Sequence, residues 1–215
     1  VMELQRNMKY YGLLSMLPGP VTYYDVQKVF GIQNGEVPQR RSLEYAIDEL
    51  GIRKGKDFHR ALADAIYTAK VLQTLDMEKV FVYSSVDVYQ NPKKRKEEIF
   101  LSYPEYDQYI FREFVDKDRI MKDREVTSTR CPICHFPAKR KLRWFLNNSK
   151  AYESLSLCQK HGWVHGKIRI YHTEDEKYYP VKTLKNVDEK AAEELREKRE
   201  SLRLKKQVKR QSEKI

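Results

Sequence analysis

Two pairs of metal-ligand residues constrain this chain more than any other feature of its sequence. Cys131-Pro-Ile-Cys134 and Cys158-Gln-Lys-His161 each place two ligands with two residues between them. Zinc in structural sites prefers tetrahedral thiolate and imidazole ligands, and a tight pair lets one turn present two of them. The pattern therefore predicts a Cys₃His structural zinc site in a small β module that depends on the metal to fold.

The spacing leaves alternatives open for this site. His165 or His135 would replace His161 as the fourth ligand, although only His161 repeats the two-residue spacing. Three cysteines do not make an even disulfide framework, which disfavours a disulfide-stabilised fold. A redox Cys-x-x-Cys motif is also disfavoured, because no thioredoxin-like helix follows the pair. Three unpaired cysteines in a small core are the remaining alternative.

Residues 1–83 have the pattern of an α/β arrangement. Helical spacing over Met2 to Leu14 precedes a β-branched and aromatic run, Val21 to Tyr24, that predicts a buried strand. Ser42 is the predicted N-cap of a helix with Ala46 and Ile47 on its apolar face and Gly51 just past its end. The next helix is predicted to bury an apolar stripe formed by Ala61, Ala65, Ala69 and Leu72.

The rest of the chain divides by composition. The charge run from Asn91 to Glu98 predicts a solvated linker within a connector over residues 84–126. Short strand-like runs at 141–146, 153–157 and 167–171 predict a zinc-ribbon-like β module over residues 127–186. Residues 187–215 lack Pro and Gly and predict one long, exposed, basic helix, with Ala191, Leu195, Leu202 and Val208 roughly aligned.

The stretches Ser42 to Ile52 and His59 to Ala69 resemble the third motif of the DEDDh 3′-to-5′ exonucleases. In that family a helix ending in leucine and glycine leads through a loop to a His, and an Asp follows five positions later. Here these residues are His59 and Asp64. The resemblance covers roughly the first 75 residues. It implies that residues 1–83 are the C-terminal part of a ribonuclease-H-like exonuclease domain.

The same resemblance implies a chemistry for these two residues. His59 would be the general base that takes a proton from the attacking water, and Asp64 would bind a catalytic Mg²⁺ or Mn²⁺ ion. The expected substrate is the 3′ end of a single-stranded nucleic acid.

The first two motifs of the family, which supply its other metal-binding carboxylates, do not occur ahead of His59. This indicates that sequence upstream of Val1 is missing, and it predicts that residues 1–215 alone do not degrade nucleic acid. Asp123-Arg-Glu125 has the Asp-x-Glu spacing of the first motif, but it follows the third motif and is interpreted as surface charge.

The charge of the chain favours an anionic partner. The formal net charge is +11 and the pI is near 9.4, and clustered Lys and Arg gain free energy by releasing counterions from phosphates. One basic and aromatic segment is predicted to contact nucleic acid through Lys139, Arg140, Lys141, Arg143 and Trp144. The alternative is that Trp144 and Phe145 fill the core of the zinc module. No long apolar segment or secretory signal is found, so a cytoplasmic protein without a membrane partner is predicted.

Two other classes of function remain open from the sequence. The first is a non-enzymatic zinc-ribbon nucleic-acid-binding protein, in which His59 is an ordinary loop histidine. The second is a protein-interaction adaptor that docks a partner through the charged C-terminal helix. The sequence does not distinguish RNA from DNA, because no residue pattern reads a 2′-hydroxyl group, and it leaves the oligomeric state open.

Overall fold

Two units divide the chain between Gln90 and Asn91 in the structure, which is a computed structural model. The structure describes residues 1–35, 41–55, 60–147 and 150–212, with the side chains of residues 209 and 210 left out. The chain is a mixed α/β protein with a large antiparallel sheet and a C-terminal helix.

Helices and a pair of short strands form the first unit, residues 1–90. Helices α1 to α5 span Met2–Tyr10, Val26–Gln33, Leu43–Glu49, Ala61–Gln73 and Met77–Val80, with 3₁₀ turns at Leu14–Met16 and Phe81–Tyr83. Strands β1 (Val21–Tyr23) and β2 (Ser85–Asp87) pair antiparallel. The strand predicted at Val21 to Tyr24 is present over Val21–Tyr23, but it is not buried as predicted, since Val21 and Tyr23 are half-buried and Thr22 is exposed. Its partner comes from the far end of the unit.

Side-chain caps and a left-handed glycine set the ends of two helices in this unit. The Asp25 carboxylate accepts a hydrogen bond from the Lys28 N–H at 3.1 Å and begins α2. The Ser42 hydroxyl accepts one from the Tyr45 N–H at 3.1 Å and begins α3, as predicted. Gly51, with φ at +62°, follows the end of α3 in a conformation that side chains with a Cβ rarely adopt.

The core of the first unit lies between α2, α3, α4 and α5. Ala46 and Ile47 of α3 are buried there, as predicted. Helix α4 buries Tyr67 and Val71, which lie on a different face from the predicted stripe. That prediction is wrong, and the four residues of the stripe are all exposed: Ala61, Ala65, Ala69 and Leu72. Both faces have helical spacing, but the larger Tyr67 and Val71 side chains remove more apolar area from water. The ribonuclease-H-like architecture stays a prediction.

An antiparallel sheet of six strands forms the centre of the second unit, residues 91–215. Strands β3 to β8 span Ile99–Ser102, Tyr106–Ile110, Lys139–Leu146, Ala151–Cys158, Gly162–His172 and Tyr178–Val187. Their order across the sheet is β3-β4-β8-β7-β6-β5. The other elements are a 3₁₀ turn, two short helices α6 and α7, and the long helix α8: Arg95–Glu97, Lys117–Ile120, Arg124–Thr127 and Glu189–Ser212.

The boundaries of this unit differ from those predicted for a linker and connector over residues 84–126. The three predicted strand-like runs lie within β5, β6 and β7, but β3, β4 and β8 belong to the same sheet. The charge run is not a free linker, because several of its charges pair with residues elsewhere in the unit. Lys93 lies 2.7 Å from Glu113, and Glu98 lies 2.6 Å from Arg112.

Different elements cover the two faces of the sheet. Ile120 of α6 and Val126 of α7 pack with Ile168 on one face. On the other face, Ala192 and Leu195 of α8 are buried against β5 and β6. The C-terminal helix is therefore not wholly exposed as predicted, because its first turns close the core of the unit. No helix among the described residues has both the length and the apolarity needed to cross a membrane.

Replacing Leu195 with alanine tests the packing of α8. Leu195 is 7% exposed, and losing its buried methyl groups is expected to lower the free energy of unfolding of the second unit by about 2–3 kcal/mol. Leu204→Ala, on the same helix at a position 54% exposed, is expected to change it by less than about 0.5 kcal/mol. Tryptophan fluorescence in urea reports this unit alone, because both tryptophans, Trp144 and Trp163, belong to it. Equal unfolding midpoints for the two variants would contradict this packing.

Candidate metal centre

Two tight turns present the four predicted zinc ligands. The first turn follows α7, where the Cys131 N–H donates to the Phe136 carbonyl at 3.0 Å and the His135 N–H donates to the Cys131 carbonyl at 2.8 Å. The second turn joins β6 to β7, with Cys158 as the last residue of β6 and His161 just before β7. The turns therefore bring together pairs that are far apart in the sequence.

The four ligand atoms form one cluster in which all of them lie within 4.8 Å of one another. Cys131 Sγ is 3.5 Å from His161 Nδ1, and Cys158 Sγ is 3.8 Å from the same nitrogen. Cys134 Sγ is 3.7 Å from Cys158 Sγ, too far for a disulfide bond. Tetrahedral zinc with ordinary bond lengths places its ligands about 3.5–3.8 Å apart. The cluster can hold a metal ion such as zinc.

The fourth-ligand ambiguity is resolved by the positions of the three histidines. His161 is in the cluster, whereas His135 Nδ1 lies 3.3 Å from an Asp107 carboxylate oxygen. His165 is on β7, with Nε2 4.0 Å from a Glu153 carboxylate oxygen. The histidine with the two-residue spacing is therefore the one that lies in the cluster.

Apolar residues of the sheet pack against the cluster, and one side-chain amide hydrogen-bonds to a turn that carries a ligand. Cys131 and Cys158 are buried against Val164 and Leu184 of the sheet. The Asn186 side-chain amide donates to the His161 carbonyl at 3.2 Å, which fixes the turn that carries this ligand. Sequence reasoning missed Asn186, since no local pattern connects a residue near the end of β8 with the ligand pairs.

The protein environment prepares one thiol for ionisation. Burial by itself would raise the pKa of the Cys158 thiol. Hydrogen bonds from the backbone N–H groups of Lys160 and His161, and contacts with the other two thiols, outweigh burial and lower that pKa to about 6. Burial raises the pKa of the Cys131 thiol. A bound cation stabilises thiolates further, so metal binding displaces protons from these groups.

The residues implied in catalysis lie in the first unit. Asp64 is in the first turn of α4 and is half-buried. His59 lies outside the described residues. Among the segments that the structure describes, the Cys₃His cluster is the one group of three or more potential metal ligands, and Asp64 is not part of it.

The predicted nucleic-acid-binding residues all lie on or at the start of β5, but they have different surroundings. Lys139, Lys141 and Arg143 are exposed. The Trp144 indole N–H donates to the Thr127 carbonyl at 2.9 Å, and Arg140 donates to the same carbonyl at 3.1 Å. A Cβ on Gly166 would lie 2.7 Å from the Trp144 ring, so β7 approaches that ring closely. Trp144 therefore packs in the sheet, which favours the core interpretation over stacking on bases.

Comparison of the chain with protein-family models, with curated proteins and with solved structures finds no match. The geometry of its own residues therefore carries any proposal about function.

Replacing ligands should separate the cluster from the nearby histidines. Cys158→Ser and His161→Ala are expected to lower zinc affinity by more than the roughly 100-fold that loss of an outer hydrogen-bond partner costs. His135→Ala and His165→Gln are expected to retain one zinc ion per chain, because neither side chain is in the cluster. Elemental analysis of the purified proteins measures this directly. Loss of zinc from His135→Ala, with zinc retained in His161→Ala, would reassign the fourth ligand.

Removing the metal with a chelator is expected to destabilise the second unit. The segment from Ser128 to Ala138 contains one isolated bridge, Arg130 with Pro137, and no helix or strand, so a bound metal would supply much of its order. The expected result is a red shift of tryptophan emission that zinc reverses. Identical urea unfolding curves with and without metal would show that the cluster does not contribute to folding.

Proposed function

We propose that this chain forms part of a metal-dependent 3′-to-5′ exonuclease of the DEDDh type. In this proposal the first unit contributes His59 as general base and Asp64 as a ligand of Mg²⁺ or Mn²⁺. The second unit is a zinc-stabilised module that holds the nucleic acid. The observation that carries the proposal is the helix–glycine–helix arrangement around Asp64.

The local structure agrees with what the motif requires. Helix α3 stops at a left-handed Gly51, residues 52–55 form no helix or strand, and α4 places Asp64 in its first turn. Asp64 is half-buried near the start of α4, and a ligand on a regular helix is positioned more precisely than one on a loop. The order of these features along the chain is the order in the third motif of the family.

Each residue has a defined part in phosphodiester hydrolysis. His59 takes the proton from the attacking water, a role for which histidine is the commonest side chain. Asp64 offers the hard oxygen ligand that Mg²⁺ and Mn²⁺ prefer. When bound, these ions would stabilise the charge that develops on the phosphate oxygens.

The zinc site has a different role in this proposal. Three thiolates and one imidazole fill all four tetrahedral positions, which leaves none for water or substrate. Zinc would therefore stabilise the fold of the second unit without taking part in hydrolysis. The net charge of +11 favours an anionic polymer as the partner.

One observation favours a second candidate, a non-enzymatic zinc-dependent nucleic-acid-binding protein. Within the described parts of the chain, Asp64 belongs to no group of three potential metal ligands. A two-metal site needs several carboxylates. The two candidates share nucleic-acid binding and differ in whether His59 and Asp64 are catalytic.

The deciding experiment is digestion of a 5′-labelled single strand by the protein expressed from its natural reading frame, with any coding sequence upstream of Val1 included. His59→Ala and Asp64→Asn are each expected to slow Mg²⁺-dependent digestion by about 100-fold or more. His172→Ala and Asp48→Asn, which change an exposed histidine and an exposed carboxylate elsewhere, are expected to leave the rate unchanged. Residues 1–215 alone are expected to show no digestion.

Digestion that persists in both His59→Ala and Asp64→Asn would exclude the exonuclease assignment for this motif. No digestion by the natural protein, with salt-dependent binding of the strand retained, would favour the non-enzymatic candidate.

A further inference from the structure

A cavity of about 450 Å³ lies against strands β3, β4 and β8 of the second unit. Its volume is within the range of about 300–1,000 Å³ that is usual for ligand sites. The walls include three aromatic rings and three cationic side chains, those of Phe100, Tyr109, Phe111, Arg124, Arg130 and Lys182.

The aromatic residues form a continuous row on one wall. The Phe100 and Tyr109 ring centroids are 4.8 Å apart, and the Tyr109 and Phe111 rings are stacked with centroids 6.2 Å apart. Phe100 is 50% exposed at the outer end of the row. A flat ligand can therefore stack on Phe100, while Tyr109 and Phe111 support it from within.

Lys182 is a buried cation at the inner end of the cavity, 2% exposed. Its ammonium group donates to the carbonyls of Glu125 at 2.8 Å and Ser128 at 2.9 Å, and it lies 4.6 Å from the centre of the Tyr109 ring. Burial and the nearby positive charge of Arg130 lower the pKa of Lys182 to about 7. Two cations that disfavour each other at one cavity are stabilised by an anion bound between them.

The two carboxylates in the wall, Glu98 and Glu125, are each paired with an arginine outside it. Glu98 is paired with Arg112 at 2.6 Å, and Glu125 is paired with Arg95. Among the residues that the structure describes, the Arg124 side chain has no hydrogen-bond or ion-pair partner. The Arg130 guanidinium donates to the His135 carbonyl at 3.2 Å, which leaves its other N–H groups for a ligand.

We propose that this cavity binds one nucleotide of a single-stranded nucleic acid, with the base stacked on Phe100 and a phosphate against Arg124 and Arg130. This inference rests on the nucleic-acid-holding role given to the second unit in the proposed function, but it requires no catalytic activity. It places the binding site on a surface of the sheet that the basic segment of β5 does not include.

The combination of wall groups selects this class of ligand. A nucleotide joins a flat ring to a phosphate, so it uses both the exposed ring and the cations. A simple anion would gain nothing from Phe100, and an apolar ligand would leave the charges of Arg124 and Arg130 unused. Every base has a face that can stack, so binding at this cavity is expected to tolerate any sequence.

The test is fluorescence anisotropy with 5′-fluorescein-labelled single-stranded 12-mers of DNA and RNA, titrated with the zinc-loaded intact protein in Mg²⁺-free buffer. Phe100→Ala is expected to weaken binding by about 10-fold through loss of base stacking. Arg130→Gln is expected to weaken it by several-fold and to lower the slope of log affinity against log salt by about 0.7, which corresponds to one phosphate contact.

Two matched variants control for general loss of apolar surface and charge. Phe136→Ala removes a ring that is 64% exposed and does not line the cavity. Arg169→Gln removes an exposed cation on β7, next to Ile168 and therefore on the opposite face of the sheet from Lys182. Both are expected to change affinity by less than about twofold, because neither side chain lines the cavity. Zinc content and tryptophan emission verify that every variant is folded.

Three results would overturn this inference. The first is no binding of either 12-mer, and the second is an equal loss of affinity in Phe100→Ala and Phe136→Ala. The third is a loss of affinity confined to Arg169→Gln, which would place the strand on the other face of the sheet. Its failure is distinct from failure of the exonuclease proposal. If Phe100→Ala weakens binding and His59→Ala leaves digestion unchanged, only the exonuclease proposal is refuted. If His59→Ala abolishes digestion and Phe100→Ala leaves binding unchanged, only the proposal of nucleotide binding at the cavity is refuted.

Discussion

The second unit is expected to depend on one contact above all, the meeting of three thiols and one imidazole within 4.8 Å. Sulfur and nitrogen ligands this close together are stabilised as thiolates and neutral imidazole only when a cation lies among them. The cluster joins the irregular segment after α7 to the hairpin of β6 and β7. A metal at this position therefore substitutes for the hydrogen-bond ladder that the segment lacks.

The segment that the metal would hold also forms one wall of the aromatic cavity. Arg130 directly precedes the ligand Cys131, and the Ser128 carbonyl that binds Lys182 is two residues earlier. Glu125, whose carbonyl is the other acceptor, belongs to the adjoining helix α7. The positions of the cations at the cavity thus depend on the same turn as the metal ligands. Structural metal and proposed ligand site are parts of one local framework.

Sequence reasoning succeeded where the physical signal is local and failed where it is distant. The ligand spacing, the Ser42 cap and the Gly51 stop each depend on a few neighbouring residues. Strands β3, β4 and β8 were missed because their evidence is pairing between distant parts of the chain, such as Tyr106 of β4 opposite Lys185 of β8. The face of α4 was misassigned because periodicity gives a spacing and leaves the choice of face to packing. A tryptophan such as Trp144 can either stack on bases or fill a core. The close approach of Gly166 to the Trp144 ring favours the core.

The two kinds of metal chemistry expected of this chain require opposite designs. A structural zinc site works because soft ligands close every position, and the Cys₃His cluster meets that condition with residues from one unit. A catalytic Mg²⁺ site needs hard oxygen ligands and open positions for water and phosphate. In the proposed function, the first unit would contribute Asp64 to such a site from the first turn of α4. If the second unit holds a strand at its cavity, it raises the local concentration of the 3′ end for whatever site acts on it. The second unit would then assist hydrolysis at the first unit, although the two proposed metal sites share no ligand.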